Sequence, residues 1–415
     1  MKYFLILGLG KSGLASLKLL EKEGVVYVIE ENKTHIKNIN YIDLEYLNKN
    51  LPLFDLVVVS PGFDKNTETY KMAIILAKEV ISEIELGYRY LKNKNVKIIG
   101  VTGSNGKTTI VTVIHNLLNS INIKNYLLGN IGTPLCEEVE KINDNSIVIL
   151  ELSSFQLENI KDFKADVNVI SNITPNHLDH VISYPYYIAS KKRLLLNNKV
   201  VIADDLYFKD MKIKSIRNEI IKLQNDTIYY KDKIILTKKD LSNYPSFFMK
   251  DVAFALLATY QLVGFYQIFI EVIKNFKNLK YREEITIINN IKIMNDSKST
   301  SVGALKEALK NFLECTRYII VGGIYKSEGI ENIPFSDKDK IYVYGKDKDI
   351  LSKLLTNCHA YDSLKEVVIN ISKNIEKDAA IIFSPSCSSF DQFENYLKRG
   401  EYFDALIKEY IEDAK

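Results

Sequence analysis

Short runs of branched apolar residues recur along the chain. Each ends in a glycine or a polar cluster, and most are followed by a longer stretch with helical spacing. The runs are Tyr3 to Leu7, Val25 to Ile29, Leu56 to Val59, Ile98 to Val101, Ile147 to Leu150, Asp166 to Ile170, Tyr318 to Val321, Ile341 to Tyr344 and Ala379 to Phe383. Runs with so little alternation predict strands buried on both faces, as in parallel sheets. Helices are predicted over Leu14 to Leu20, Val80 to Leu91, Ile110 to Leu118, Asp251 to Val263 and Gln267 to Phe276, and from Val302 onward. Glu83 and Glu85 on the second of these read as a solvated face. Residues 211–248 alternate weakly and predict short strands at the edge of a central sheet. Ile285 to Met294 predicts a hairpin turning at Asn289-Asn290.

The strand ends carry the chemistry. Gly8-Leu9-Gly10-Lys11-Ser12-Gly13 sits between a strand and a helix, the setting in which glycines let a pyrophosphate approach a helix N-terminus. The next strand ends at Glu30 and Glu31, and a later one at Ser60-Pro61-Gly62. Taken by itself this segment suits NAD as well as a nucleotide-sugar. Thr102-Gly103-Ser104-Asn105-Gly106-Lys107-Thr108-Thr109 is a stronger signal. It has the strand, glycine loop, Lys-Thr and helix of a phosphate-binding loop, shortened so that Val101 stands where the strict pattern has glycine. Lys107 suits the outer phosphates and the Thr108 hydroxyl suits Mg²⁺.

Downstream, Gly129-Asn130-Ile131-Gly132 forms a turn, and Glu151 ends a strand where a Mg²⁺ ligand is expected. His177, one of five histidines, follows another strand end and is a candidate metal or substrate contact. Asn295-Asp296-Ser297-Lys298-Ser299-Thr300 lies between hairpin and helix and reads equally as a site or as an elaborate helix cap. Gly322-Gly323 precedes Lys326, and the last predicted strand runs into Ser384-Pro385-Ser386-Cys387-Ser388-Ser389-Phe390.

Composition narrows the class. The chain has 415 residues, is 47% hydrophobic and 26% charged, and carries a net charge of +3. This fits a globular protein of more than one domain, with no basic block pointing to nucleic acid. Four scattered cysteines suit free thiols in a reducing compartment, the cytoplasm. No apolar stretch predicts a membrane span. The opening MKYFLILGLG flows into a glycine fingerprint and reads as a strand rather than a signal peptide.

The pattern therefore predicts an α/β protein of three domains. These are a Rossmann-like domain over 1–92, a central P-loop-type ATPase domain with a mostly parallel sheet over 93–280, and a Rossmann-like domain over 281–415. Lys92 to Asn95 forms the first linker.

This order of units resembles the Mur ligases of peptidoglycan synthesis, over essentially the whole chain. The resemblance rests on TGSNGKTT, GNIG, LELSSFQLE, the N-x-T-x-x-H-L-D run at 172–179, NDSKST and SPSCSSFDQFENYLKRGEYF at 384–403. The last motif resembles that of the members that add D-glutamate. The resemblance implies an ATP-dependent amide ligase working through an acyl phosphate, with UDP-N-acetylmuramoyl-L-alanine and D-glutamate as partners, two Mg²⁺ ions and a monomeric chain.

It also implies roles residue by residue. Gly103 to Thr109 hold ATP, with Lys107 on the β/γ-phosphates. Thr108 and Glu151 serve Mg²⁺, and His177 serves a second Mg²⁺ or the acyl phosphate. Lys191 carries a carbamate that ligates the second Mg²⁺. Arg282, Asp296 and Lys298 lie near adenosine. The UDP-substrate is held by Lys11, Ser12, Glu30, Glu31, Asn32, Ser60, Asn130 and Gln156. Thr300, Lys326, Ser389, Phe390 and Tyr396 shape the D-glutamate pocket. Closure of the last domain over the nucleotide is the motion expected.

Three departures stand against the family pattern: Lys250-Asp251-Val252-Ala253-Phe254 where it shows His-Asn-x-x-Asn, Tyr281 in place of histidine before Arg282, and Ile324-Tyr325 before Lys326. They bear on nucleotide affinity. A sibling ligase with another amino acid, an NAD(P)-dependent oxidoreductase and a nucleotide-binding protein without turnover are the other classes considered.

Overall fold

The computed structural model describes residues 1–30, 36–49, 53–173, 189–195, 199–204, 213–241, 244, 247–277, 280–326 and 329–413. The chain divides into two compact units. The first comprises 1–173, 185–237 and 249–275, and the second 174–184, 238–248 and 276–415.

The first unit holds two parallel sheets. The strands β1 (Tyr3–Leu7), β2 (Val25–Ile29), β3 (Asn40–Tyr41), β4 (Leu56–Val59) and β5 (Val80–Ser82) form one, in the order β3-β2-β1-β4-β5. The other is built from β6 (Lys97–Thr102), β7 (Asn125–Gly129), β8 (Ile147–Glu151), β9 (Val167–Ile170), β10 (Val200–Ala203) and β11 (Lys214–Ser215), in the order β11-β10-β9-β6-β8-β7. Valine and isoleucine dominate both, and β1, β4, β6 and β8 are almost wholly buried, as strands covered on both faces require. Ile6, Val28 and Val58 of one sheet and Ile98, Val148 and Leu150 of the other belong to a single hydrophobic cluster. Helices Lys11–Leu20, Glu83–Leu91 and Leu135–Glu138 pack on one another within this unit.

Three expectations are corrected here. The predicted Val80 to Leu91 helix begins instead as β5, because its Val-Ile pair joins β4 in register with Val57 and Val58. The helix proper is Glu83–Leu91, with the Ser82 side chain accepting from the Glu85 N–H. Glu83 and Glu85 are buried, not solvated, because each accepts backbone N–H groups from elsewhere in the unit: Cys136 for Glu83, and Lys161, Asp162 and Phe163 for Glu85. Residues 221–237 form a separate antiparallel sheet, β12 (Ile221–Gln224), β13 (Thr227–Tyr230) and β14 (Lys233–Thr237), and among the described residues of 211–248 only β11 extends the central sheet. Asn225-Asp226 and Lys231-Asp232 all have positive φ. Such two-residue turns fold each strand back on its neighbour.

Among its described residues the second unit has one sheet, made of β15 (Glu284–Ile288), β16 (Ile291–Asn295), β17 (Arg317–Gly322), β18 (Asp339–Tyr344), β19 (Cys358–Tyr361) and β20 (Ala380–Ser386). Its order is β15-β16-β20-β17-β18-β19. The hairpin β15–β16 turns at Asn289 and Asn290, both in the left-handed region, as expected. The remaining pairings are parallel. The carboxyl ends of β16, β20 and β17 therefore deliver residues 296–300, 387–393 and 323–326 to the same edge, where open α/β sheets place ligands.

Candidate active site

Register assembles the phosphate-loop region. Val101 pairs with Glu151, Glu151 with Gly129, and Thr102 with Ile170. Four strand ends thus present the phosphate loop, Glu151, the Gly129–Gly132 turn and Ser171-Asn172 side by side. Gly106, at φ +83°, caps the Lys107–Ser120 helix. A Cβ there would come within 2.4 Å of Asp251 Oδ1, so the position needs glycine for space as well as conformation. The loop is braced from β9: Asn172 Oδ1 accepts the N–H groups of Ser104 and Asn105 at 3.1 and 2.9 Å, and Ser171 Oγ donates to the Asn105 carbonyl at 2.5 Å. Sequence reasoning missed this bracing, which no local spacing signals.

Lys107 Nζ donates to the carbonyls of Gly103 at 2.8 Å and Ser104 at 3.0 Å. Lys191, 1% exposed, donates to the same Gly103 carbonyl at 2.9 Å and to Thr102 Oγ1 at 3.3 Å. Burial, then the charge of Lys107, pushes the Lys191 ammonium well below the usual lysine range, against an opposing pull from Glu151. The Asn130 amide donates to Glu151 Oε1 at 2.9 Å, while Glu151 Oε2 is buried without a hydrogen-bond partner among the described residues. An unpartnered buried carboxylate oxygen beside a phosphate loop, with the buried Thr108 opening the next helix, is the hard-oxygen donor set that suits Mg²⁺. His177 lies outside the described residues.

A cavity of about 280 Å³ lies where the first sheet's glycine loop meets the Gly129–Gly132 turn. It is lined by Lys11, Ser12, Pro61, Gly129, Asn130, Gly132, Pro134 and Gln156. Four of the predicted UDP-substrate residues therefore converge. Gln156 also has a local task, its Oε1 accepting the Ser153 N–H at 2.9 Å in a capping box. Ser60 Oγ donates to the Gly8 carbonyl at 2.6 Å, and Glu30 Oε2 accepts the Leu9 N–H at 2.5 Å, so both hold the glycine loop in shape. Glu31 and Asn32 lie outside the described residues.

In the second unit, Asp296 is buried. Its carboxylate accepts the Glu283 N–H at 3.2 Å and the Ser384 hydroxyl at 2.9 Å. Burial pushes the carboxyl up to about 7. Arg282 is half-buried beside it and opposes that shift. Lys298 Nζ lies 4.7 Å from the centre of the Tyr396 ring. Thr300 and Lys326 are half-buried, Ser389 is buried and Phe390 is 71% exposed. Ile324 and Ser388 exchange both backbone hydrogen bonds at 2.9 Å, which ties the Lys326 segment to Ser389.

Arg399, fully buried, is a residue that sequence reasoning passed over. Its guanidinium donates to Ser297 Oγ at 3.1 Å and to the carbonyls of Ser297 at 2.7 Å, Cys387 at 3.0 Å and Ser299 at 3.4 Å. It clamps the loop after β16 to the loop after β20.

The departures have structural partners. Lys250 pairs at 2.9 Å with Asp204, a buried carboxylate that also takes Arg217 at 3.0 Å. Tyr281, at φ +63°, lays its ring where a Cβ on Gly400 would stand 2.3 Å away. The Tyr325 N–H donates to Asp347 at 2.8 Å.

Comparison with known proteins gives the family. Residues 101–268 match the family described as the Mur ligase middle domain. A UDP-N-acetylmuramoylalanine–D-glutamate ligase of Caldicellulosiruptor bescii is 32% identical, over 99% of this chain and 98% of that protein. Another from Buchnera aphidicola is 35% identical, over 98% of each. Among solved structures, a MurF ligase from Thermotoga maritima in complex with ADP shares the fold with a TM-score of 0.64 at 14% identity, covering 99% of this chain and 95% of that one. The α/β fold is thus that of the Mur ligases. With two relatives above 30% identity over nearly full length, the chain belongs to the Mur ligase family, among its UDP-N-acetylmuramoylalanine–D-glutamate ligases.

Proposed function

We propose that this chain joins D-glutamate to UDP-N-acetylmuramoyl-L-alanine at the expense of ATP, as a step of peptidoglycan precursor synthesis in the cytoplasm. The observation that carries the reading is the cluster at Gly103: two lysine nitrogens on one phosphate-loop carbonyl, beside a buried carboxylate oxygen with no hydrogen-bond partner among the described residues. The substrate carboxylate attacks the γ-phosphorus of ATP, forming an acyl phosphate and releasing ADP. The D-glutamate amine then attacks the acyl carbon, loses a proton, and expels phosphate. A carboxylate is a poor electrophile, and phosphorylation supplies the leaving group. Lys107 and the loop N–H groups steady the charge that moves between two anions.

Thr108 and Glu151 would hold Mg²⁺, which supplies further charge neutralisation at the phosphates. Lys191 is assigned a carbamate: its neutral amine, favoured by burial, adds to CO₂ and loses a proton, giving an anionic oxygen ligand for a second metal. His177 completes that assignment. Lys11, Ser12, Asn130 and Gln156 bind the UDP-muramoyl substrate. Arg282 and Lys298 serve the adenosine end of ATP, with Asp296 holding their segment in place. Thr300, Lys326, Ser389, Phe390 and Tyr396 receive D-glutamate, Lys326 neutralising a carboxylate. The three domains are taken as 1–92, 93–280 and 281–415.

The test is phosphate release with ATP and Mg²⁺, each of the two other substrates being present or absent. Release that requires both, with a product heavier by one glutamyl residue, supports the reading. Release with a different amino acid, or none with ATP still bound, overturns it.

A further inference from the structure

Helix Glu83–Leu91 follows the last-numbered strand of the first sheet, yet its first residue acts on the second sheet's loop. Glu83 is 1% exposed. Its Oε1 accepts the Cys136 N–H at 2.6 Å, the Cys136 thiol donates to the Glu83 carbonyl at 3.2 Å, and Oε2 has no partner among the described residues. Cys136 lies in the Leu135–Glu138 helix, directly after the Gly129–Pro134 loop. The far end of that loop is fastened too. The Asn130 N–H donates to the Glu151 carbonyl at 2.9 Å, and the Gly129 N–H to the Thr133 carbonyl at 3.0 Å. Leu135 seats on the Glu83–Leu91 helix where Gly87 has no side chain: a Cβ there would stand 2.6 Å from Leu135 Cγ.

The loop held between these anchors supplies Gly129, Asn130, Gly132 and Pro134 to the cavity whose opposite wall is Lys11 and Ser12. A carboxyl buried this deeply with one oxygen unpartnered opposes folding. Packing alone would be served better by an apolar residue, so the hydrogen bond to Cys136 is the feature that gives a carboxyl its use here. We infer that Glu83 is a positioning residue for the UDP-muramoyl substrate: it fixes the Gly129–Pro134 wall at the height that the nucleotide-sugar needs opposite Lys11 and Ser12. The inference rests on the proposed function for the identity of that ligand. Burial raises the carboxyl to about 7, so glutamine, neutral and with an amide oxygen for the Cys136 N–H, is a close substitute.

The experiment uses the full chain and three variants. Glu83→Ala removes the acceptor. Cys136→Pro removes the donor at the second position of its helix, where the N–H has no intrahelical partner, and also restrains Leu135 before it. Glu83→Gln keeps the hydrogen bond. Steady-state kinetics for each of the three substrates is combined with amide exchange read by mass spectrometry. In Glu83→Ala and Cys136→Pro we expect KM for the UDP-muramoyl substrate to rise about tenfold, with kcat and KM for ATP within about twofold. Exchange should quicken across 129–138 and not across 103–109, and Glu83→Gln should restore both readings. An unchanged KM for the nucleotide-sugar, an equal rise in KM for ATP, or unaltered exchange across 129–138 overturns the inference. Should the unmutated chain turn over no UDP-muramoyl substrate, the proposed function fails first and separately. The exchange pattern then decides whether Glu83 anchors the loop.

Discussion

Lys107 and Lys191 donate to one and the same acceptor, the Gly103 carbonyl, at 2.8 and 2.9 Å. Two ammonium groups on a single oxygen repel each other, and burial disfavours the charge on Lys191 further. The arrangement eases if one nitrogen becomes neutral or gains an anionic group while the other meets phosphate. On the proposed function the pair would divide the labour at the loop, Lys107 meeting the nucleotide and Lys191 carrying the carbamate.

Lys107→Ala is expected to lower phosphate release by at least about a thousandfold, the scale of a lost charge contact in phosphoryl transfer. The thermal transition should stay near that of the unmutated chain, because the side chain reaches carbonyls of its own loop. Activity at the unmutated level would remove the phosphate-loop assignment.

Lys191 is expected to carry labelled carbon when the protein is equilibrated with ¹³C-bicarbonate, seen as a carbamate resonance absent from Lys191→Ala. Stripping bicarbonate should lower turnover. A spectrum without that resonance, together with turnover indifferent to bicarbonate, would sink the carbamate.

Ser389→Ala and Lys326→Ala are expected to raise KM for D-glutamate about tenfold or more while leaving KM for ATP within about twofold, as lost contacts to one substrate do. Equal effects on both substrates would move these residues out of the amino-acid pocket.

The Glu283–Asp296 pair predicts a pH dependence of stability. Burial raises both carboxyls, Asp296 to about 7 and Glu283 well above its ordinary value, with the Asp296 charge adding to Glu283. Unfolded, both titrate near 4. The folded chain therefore binds more protons between about pH 4 and 7, and stability falls as pH rises through that window. Glu79, held down at about 2 by Arg89, titrates below it. The melting transition of the second unit, which holds both carboxyls, should be lower at pH 8 than at pH 5 by roughly 3 °C, the scale of about 1 kcal/mol in a unit of that size. Glu283→Gln should flatten the slope, and an unaltered slope would contradict the assignment.

Arg399→Ala is expected to destabilise the second unit by about 3 kcal/mol, since it leaves buried carbonyls without donors. Denaturant unfolding would show it. A loss below about 0.5 kcal/mol, the size of an ordinary surface substitution, would mean that the clamp is not structural.

Much of this was legible in the sequence because the informative residues are neighbours along the chain. The apolar runs of β1, β4, β6 and β8 and the loops at their ends are local patterns, and the structure puts the runs inside parallel sheets and the loops at their carboxyl ends. The long-range polar contacts left no such trace. Glu83 and Glu85 looked solvated because their partners, the N–H groups of Cys136 and of Lys161 to Phe163, are backbone atoms of distant residues. Arg399 was missed for the same reason, three of its four acceptors lying about a hundred residues earlier. The separate β12–β14 sheet hinged on Asn225-Asp226 and Lys231-Asp232, whose turn conformation the weak alternation hid.

The position of β20 sets the order in which the second unit can be completed. This strand comes last in the sequence yet pairs with both β16 and β17. A growing polypeptide that stops short of Ala380 has a hairpin and a three-stranded fragment, each with an open edge, and no means of joining them. Synthesis must therefore pass Ser386 before this sheet closes, and until then two open strand edges face the cell's other proteins. The first unit's sheets, finished long before, are under no such delay. A nascent chain released early would be expected to keep a folded nucleotide-binding half and to be recognised by chaperones through the other.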